Sequence, residues 1–273
     1  MLVFLLVAAL FGVLEGVTEW LPISSTGHLI LLDLVLRLPL SAAAYELFEV
    51  VVQLGAMLAV AVIYRRRLFS LGKGERPATL ALWGRVLLAT LPAAAAGLLL
   101  DDLISERLHT PVVVATALIF YGVAFLWLGK WQKRHPSATL CENVSWRTAI
   151  LIGCFQVLSL IPGTSRSGAT ILGGVLLGLS ATAAAEFSFF LALPTMLGAG
   201  ALKAVKFVAE GHTLTAAEGG VLLVGTAVAF LTSLAVIRFL TDFVKRHSFA
   251  PFGVYRILLG VAVLAASLWR TLS

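Results

Sequence analysis

Apolar residues along this chain fall into long blocks broken by short polar runs, the pattern of helices that cross a bilayer. A spanning helix needs about 20 mostly apolar residues. Six blocks approach or reach that length: 45–64, 80–100, 111–128, 187–208, 219–240 and 252–268. Four shorter apolar pieces come in two pairs. Residues 1–14 and 29–36 flank a polar run from Glu15 to His28, and residues 149–160 and 171–179 flank a second from Pro162 to Thr170. Pieces this short predict re-entrant segments, which enter and leave the membrane on one side. Non-helical backbone at membrane depth survives only where protein buries it or where it lines a wet cavity. Both runs carry the breakers such a turn uses: Pro22 and Gly27 in the first, and Pro162, Gly163 and Gly168 in the second.

The order is a re-entrant pair followed by three spans, and then the same again. Three is odd, so the second unit enters the membrane upside down relative to the first. The predicted fold is an all-α integral membrane protein, a single membrane domain over residues 1–273. It has six transmembrane helices plus two re-entrant helix-loop-helix hairpins arranged as an inverted-topology repeat. Repeat one covers about 1–130 and repeat two about 145–273. Basic residues set the orientation. Arg65, Arg66, Arg67, Lys73 and Arg76 sit in one loop, Lys130, Lys133 and Arg134 in another, and Lys245 and Arg246 in a third. Alternation puts these loops on one side, which the excess of Lys and Arg makes cytoplasmic. The acidic loop 101–106 and the loop around Glu210 and Glu218 fall outside, as do both termini. Lys203 and Lys206, near that outer end, run against the trend. The match between halves is faint, Leu21-Pro22 followed by Ser25 against Ile161-Pro162 followed by Ser165.

Composition agrees with the bilayer. Residues are 60% hydrophobic and 12% charged, with mean hydropathy +1.00, whereas soluble domains carry roughly 25% charged residues. The net charge of +6 then reflects basic cytoplasmic loops and anionic head groups, so no nucleic-acid partner is inferred. Cys141 and Cys154 are too few for a disulfide framework or a metal cage and read as unpaired small residues. The apolar N-terminus lacks a basic leader region and runs straight into the polar motif, so it reads as a retained helix.

The two polar runs are costly in hydrocarbon, and clusters of that kind mark functional sites. Inverted repeats with broken helices place ligand sites where the halves meet, which would bring the runs together. Glu15 and Glu19 are four apart and share one face of a helix. A hard divalent cation such as Mg²⁺ or Ca²⁺, held by Glu15, Glu19 and a substrate phosphate, would relieve their repulsion. Ser24, Ser25 and Thr26 follow Pro22 and can cap the next helix, where backbone N–H groups also favour phosphate. His28 lies three residues beyond Ser25, within reach for acid–base work. In the second run Gly163, Ser165, Ser167 and Thr170 surround Arg166, offering an anion nest and a fork of guanidinium donors for phosphate oxygens. The P-loop pattern is missing, so this is no nucleotide cradle. Glu49, Gln53 and Glu186 lie inside apolar spans and read as residues supporting the site from behind; Glu186 equally fits a helix start.

Glu15-Gly16-Val17-Thr18-Glu19-Trp20-Leu21-Pro22-Ile23-Ser24-Ser25-Thr26-Gly27-His28 and Pro162-Gly163-Thr164-Ser165-Arg166-Ser167-Gly168-Ala169-Thr170 together resemble the undecaprenyl-diphosphate phosphatase, or bacitracin-resistance protein, family. Phe48 to Gly55, Ala185 to Phe189 and Pro251 to Arg256 add to the resemblance, which runs from about residue 4 to residue 268. It implies removal of the terminal phosphate of undecaprenyl (C55) diphosphate, which recycles the lipid carrier for cell-wall polymer synthesis and confers bacitracin resistance. It also implies a multi-pass protein of the bacterial inner membrane among membrane lipids, often a homodimer, with its site facing the periplasm. Carried over by position, Glu15 and Glu19 match the acidic motif linked to divalent metal, Ser25 and His28 the nucleophile and acid–base group, and Ser165, Arg166 and Thr170 the phosphate-binding motif. The competing expectation is a transporter or flippase of polyprenyl phosphate lipids, since inverted repeats with broken helices also build transporters.

Overall fold

The computed structural model describes residues 2–272 apart from 33, 34, 37, 39, 71, 73–75 and 109, and omits the side chains of 101–106 and 270–272. Lys73, used above for orientation, lies outside the described residues. The described chain is helical without strands: α1 (Leu2–Thr18), α2 (Ser25–Leu32), α3 (Ala42–Ile63), α4 (Arg65–Phe69), α5 (Arg76–Arg107), α6 (Pro111–Arg134), α7 (Trp146–Val157), α8 (Arg166–Leu176), α9 (Ala181–Ala209), α10 (Ala216–Arg246) and α11 (Ala250–Leu272).

Helix starts follow local chemistry. Ser41, Thr110, Ser145 and Ser180 each accept a backbone N–H of the first turn of α3, α6, α7 and α9, and Thr215 forms a reciprocal capping box with Glu218 at α10. Pro111 opens α6, where its missing N–H costs nothing. Among the described residues six helices are long and apolar enough to cross a membrane: Ala42–Ile63, Arg76–Leu100, Pro111–Arg134, Ala181–Ala209, Ala216–Arg246 and Ala250–Trp269. They contain five of the six expected blocks and all but Tyr64 of the block 45–64, so this is a multi-pass membrane protein. The helices run past the apolar blocks because polar residues at their ends are ordinary helix formers. For that reason the acidic stretch 101–106 continues α5 as far as Arg107 and is not a loop, a correction to the sequence reading.

The spans pack through small residues. α1 lies on α10, α10 on α3, α11 on α6, α5 on α7, and α3 on α9. A Cβ added at Gly12 or Gly16 would run into the backbone of α10, so glycine sets how closely α1 and α10 approach. Apart from the spans and the five-residue α4, the described residues form four shorter α-helices in two pairs. α1 gives way to α2 through residues 19–24, and α7 to α8 through a 3₁₀ turn, Leu158–Leu160, and residues 161–165. Ser24 (φ 72°) and Ser165 (φ 70°) are the two non-glycine residues with positive φ among those described. Each stands immediately before the second helix of its pair. Strained backbone of this kind persists only where the surroundings over-determine it, and it concentrates at functional sites.

Candidate active site

The two polar runs meet. Arg166, the first residue of α8, donates from Nε (3.2 Å) and Nη2 (3.1 Å) to Glu19 Oε1, and from Nη1 to the Ser188 carbonyl of α9 (2.9 Å). Both partners are nearly buried, and the guanidinium lies 5.8 Å from the Trp20 ring centre. Ser167 Oγ donates to the carbonyls of Glu19 (2.9 Å) and Leu21 (3.2 Å). Thr170 Oγ1 bonds to the Arg166 carbonyl (2.9 Å) and to Ser188 Oγ (2.7 Å). Ser165 Oγ accepts the Gly168 N–H (3.2 Å). The side chains of Ser165, Ser167 and Thr170, expected on phosphate, therefore meet protein groups that join and cap the two tips.

A deeper tie holds both turns. Arg256 of α11 is fully buried and donates to the carbonyls of Pro22 (3.1 Å), Gly163 (2.8 Å) and Thr164 (2.9 Å). Its guanidinium sits 5.5 Å from the Tyr121 ring centre and 6.0 Å from that of Phe125. Gly163 (φ +91°) is pressed against the backbone of Val114, and a side chain there would meet both obstacles.

A cavity of about 390 Å³ opens beside this junction. Its polar lining includes Glu15, Ser25, Thr26, Glu49 and Gln53, and it also meets Glu46 and Lys203; Leu29, Ile30, Val50 and Val114 supply an apolar side. Glu15 is buried, and its Oε1 has no hydrogen-bond partner. Glu49 and Gln53 thus stand in the same cavity as Glu15. Glu186 does not: its carboxylate takes Arg67 Nη1 at 2.7 Å, and Arg67 also pairs with Glu142. Cys141 is buried in this neighbourhood, and burial pushes its thiol up to about 12 against the pull of Arg67. It is a neutral core residue, and Cys154 is likewise unpaired.

His28 is held at both nitrogens. Nδ1 bonds to the Ser24 carbonyl (2.7 Å) and Nε2 to the Tyr255 hydroxyl (2.7 Å), with the rings stacked 5.5 Å apart. A carbonyl only accepts, so Nδ1 carries the proton and a neutral imidazole accepts from Tyr255 at Nε2. Neither ring nitrogen is directed to Ser25 in this arrangement. Tyr255→Phe removes the donor at Nε2 while keeping the stacked ring. It is expected to lower kcat for phosphate release by about tenfold, less than the roughly 10²–10⁴ of a lost acid–base group because Tyr255 acts through His28, with little change in KM. A change in KM alone would instead assign Tyr255 to lipid binding.

Sequence reasoning left Ser188, Lys203, Tyr255 and Arg256 without a role. For Arg256 a signal existed, because an arginine in a span demands partners. For the Ser188 carbonyl none did, since it acts through position alone.

Fold and site together define a multi-pass membrane protein with a buried carboxylate–arginine junction and an acidic cavity beside it. A family model described as Bacitracin resistance protein BacA matches residues 8–262, and the chain belongs to that family. A Streptococcus thermophilus protein named Undecaprenyl-diphosphatase is 52% identical over 265 residues, covering 95% of this chain and 92% of the relative. Proteins of the same name from Streptococcus pyogenes serotypes M3 and M1 are 49% identical over 275 residues, covering 99% of each chain.

Proposed function

We propose that this chain is a phosphatase of undecaprenyl diphosphate, hydrolysing it to undecaprenyl phosphate and inorganic phosphate. The observation that carries this reading is the cavity, which places carboxylates and hydroxyls beside an apolar wall of Leu29, Ile30, Val50 and Val114. Such a space suits an amphiphile whose head is charged and whose tail is not. Full-length relatives near 50% identity carry the enzyme's name, which favours hydrolysis over a flippase.

Phosphoryl transfer depends on positioning and charge neutralisation more than on covalent chemistry. Ser25 and Thr26 are the first residues of α2 and line the cavity, so the positive end of that helix faces an arriving phosphate. The terminal phosphate rests there, with Ser25 Oγ as the attacking oxygen. A new P–O bond forms as the Ser25 proton passes to a phosphate oxygen, the anhydride bond breaks, and the bridging oxygen leaves with its electron pair on undecaprenyl phosphate. Water then releases the phosphate from Ser25. Arg166 holds Glu19 in place through two hydrogen bonds, and His28 with Tyr255 fixes the start of α2 through the Ser24 carbonyl.

The donor set suits a divalent cation. Glu15 brings a buried oxygen without a partner, and Glu49 and Gln53 share its cavity. Among the described residues no three His, Cys, Asp or Glu side chains form a ready-made cage. That fits Mg²⁺, which uses one or two carboxylates and completes its shell with water and phosphate. With Glu19 Oε1 taken by Arg166, Glu15 and Glu49 are assigned as the carboxylates, revising the expected pair of Glu15 and Glu19. The bound ion supplies charge neutralisation for the diphosphate.

The packing supports an inverted repeat. Exchanging α1, α2, α3, α5 and α6 with α7, α8, α9, α10 and α11 turns the α1–α10 contact into α7–α5, α10–α3 into α5–α9, and α2–α11 into α8–α6, and all of these pairs pack. The serines of positive φ correspond in this exchange, pairing Ser24-Ser25-Thr26-Gly27 with Ser165-Arg166-Ser167-Gly168. On this reading α1–α2 and α7–α8 are re-entrant hairpins in a single domain of the bacterial inner membrane. The site faces the periplasm because the basic ends lie on the other side. A homodimer is carried over from the family resemblance.

The test is phosphate release from undecaprenyl diphosphate by purified protein in detergent. Wild type is expected to turn over, Ser25→Ala and Glu15→Gln to lose at least about a hundredfold, and a chelator to lower the wild-type rate. Background release by wild type would favour the flippase, and wild-type rates in both variants would remove this site from the reaction.

A further inference from the structure

Glu46 of α3 and Lys203 of α9 form an ion pair, Nζ to Oε2 2.6 Å. Both residues line the catalytic cavity, and both also line a second cavity of about 380 Å³ that contains Lys206, Glu210 and His212. The pair thus stands on the partition between the two spaces. Among the described residues lining the catalytic cavity, Lys203 alone carries a positive charge. The other cations near the site are spent: Arg166 on Glu19 and the Ser188 carbonyl, and Arg256 on three carbonyls. With Glu15 and Glu49 assigned to the divalent cation, Glu46 still faces an arriving diphosphate, and Lys203 is the side-chain cation in the cavity that can change partners.

We propose that Lys203 is a substrate-binding residue that distinguishes a diphosphate from a monophosphate. It leaves Glu46 and takes an oxygen of the prenyl-proximal phosphate while the terminal phosphate rests against Ser25 and Thr26. This rests on the phosphatase reading above. Side-chain exposures of 41% for Lys203 and 61% for Glu46 make the resting pair weak, since water screens it, and an ionised phosphate oxygen competes well for an ammonium. The freed Glu46 is not stranded, because Lys206, three residues along α9, lines the second cavity with it. After hydrolysis the lipid keeps only its prenyl-proximal phosphate, which settles against Ser25 and Thr26 once inorganic phosphate has left and so parts from Lys203. Lys203 returns to Glu46, and the product is held less tightly than the substrate.

The experiment compares wild type, Lys203→Gln, Lys203→Arg and Glu46→Gln, full-length in detergent, for phosphate release from polyprenyl diphosphate and for inhibition by polyprenyl monophosphate. Lys203→Gln is expected to raise KM about tenfold with kcat within about threefold, the signature of lost uniform binding. Monophosphate inhibition should stay unchanged, Lys203→Arg should restore KM, and Glu46→Gln should leave it equal or lower. If the pair were only a brace between α3 and α9, Glu46→Gln would raise KM as Lys203→Gln does, and that result overturns the proposal. Equal weakening toward diphosphate and monophosphate overturns it too. Direct binding of polyprenyl diphosphate, followed by tryptophan fluorescence, needs no turnover. If wild type proves inactive, the phosphatase reading fails, while a tenfold weaker Kd in Lys203→Gln would still support Lys203 and an equal Kd would reject it.

Discussion

Replacing Arg166 by alanine is expected to lower phosphate release by at least about a hundredfold, the scale seen when a preorganised donor is removed from a reacting site. The guanidinium joins the two polar runs, with two bonds to Glu19 Oε1 and one to the Ser188 carbonyl. Truncation leaves the nearly buried Glu19 carboxylate without its partner. Removal of one member of a buried pair costs about 3–5 kcal/mol, so the melting temperature in detergent should fall as well. Two further variants separate chemistry from folding. Arg166→Lys keeps the charge but loses the planar fork, so much of the stability should return while activity stays low. Glu19→Gln with Arg166→Met removes both charges together, and should recover stability without turnover. Wild-type turnover in Arg166→Ala would show that the junction is dispensable for the reaction.

Arg256→Met is expected to destabilise the protein by about 3 kcal/mol, because three buried carbonyls lose a charged donor and a hydrogen bond to a charged group contributes about 1.5–3 kcal/mol. Methionine matches the length of the buried stem but donates nothing to Pro22, Gly163 and Thr164, whose carbonyls Arg256 now holds. These carbonyls belong to both turns, so their loss should loosen one tip against the other. Thermal unfolding in detergent reads the stability. Turnover should fall by more than about tenfold, because small misplacement of reacting groups is costly, although Arg256 is absent from the cavity lining. An unchanged melting temperature with unchanged turnover would show that the Arg166–Glu19 junction suffices to hold the tips.

Much of the site was legible because a bilayer makes polar residues conspicuous. Glu15, Glu19 and Arg166 stand out from apolar surroundings whatever the tertiary structure, and the expectation that the two runs meet needed only their position in each half. The partners were less legible. Ser167 and Thr170 look like phosphate ligands in a line of sequence, yet both turn their hydroxyls to protein groups. His28 looks like a partner for Ser25, yet Ser24 and Tyr255 take its two nitrogens. Glu186 looks like a neighbour of the site, yet Arg67 claims it. In each case the sequence names a group able to bond several ways, and the choice depends on residues far along the chain.

The sequence by itself determined the membrane setting, the six spans and the two polar interruptions, because span length and the cost of burying charge are local properties of composition. The capping hydroxyls before α3, α6, α7, α9 and α10 were local in the same sense. Only the tertiary structure decided which charge meets which. The Arg166–Glu19 bond spans 147 positions, and Arg256 reaches Pro22 across 234. Contacts at such separations are set by how helices pack, and no local pattern of residues encodes them.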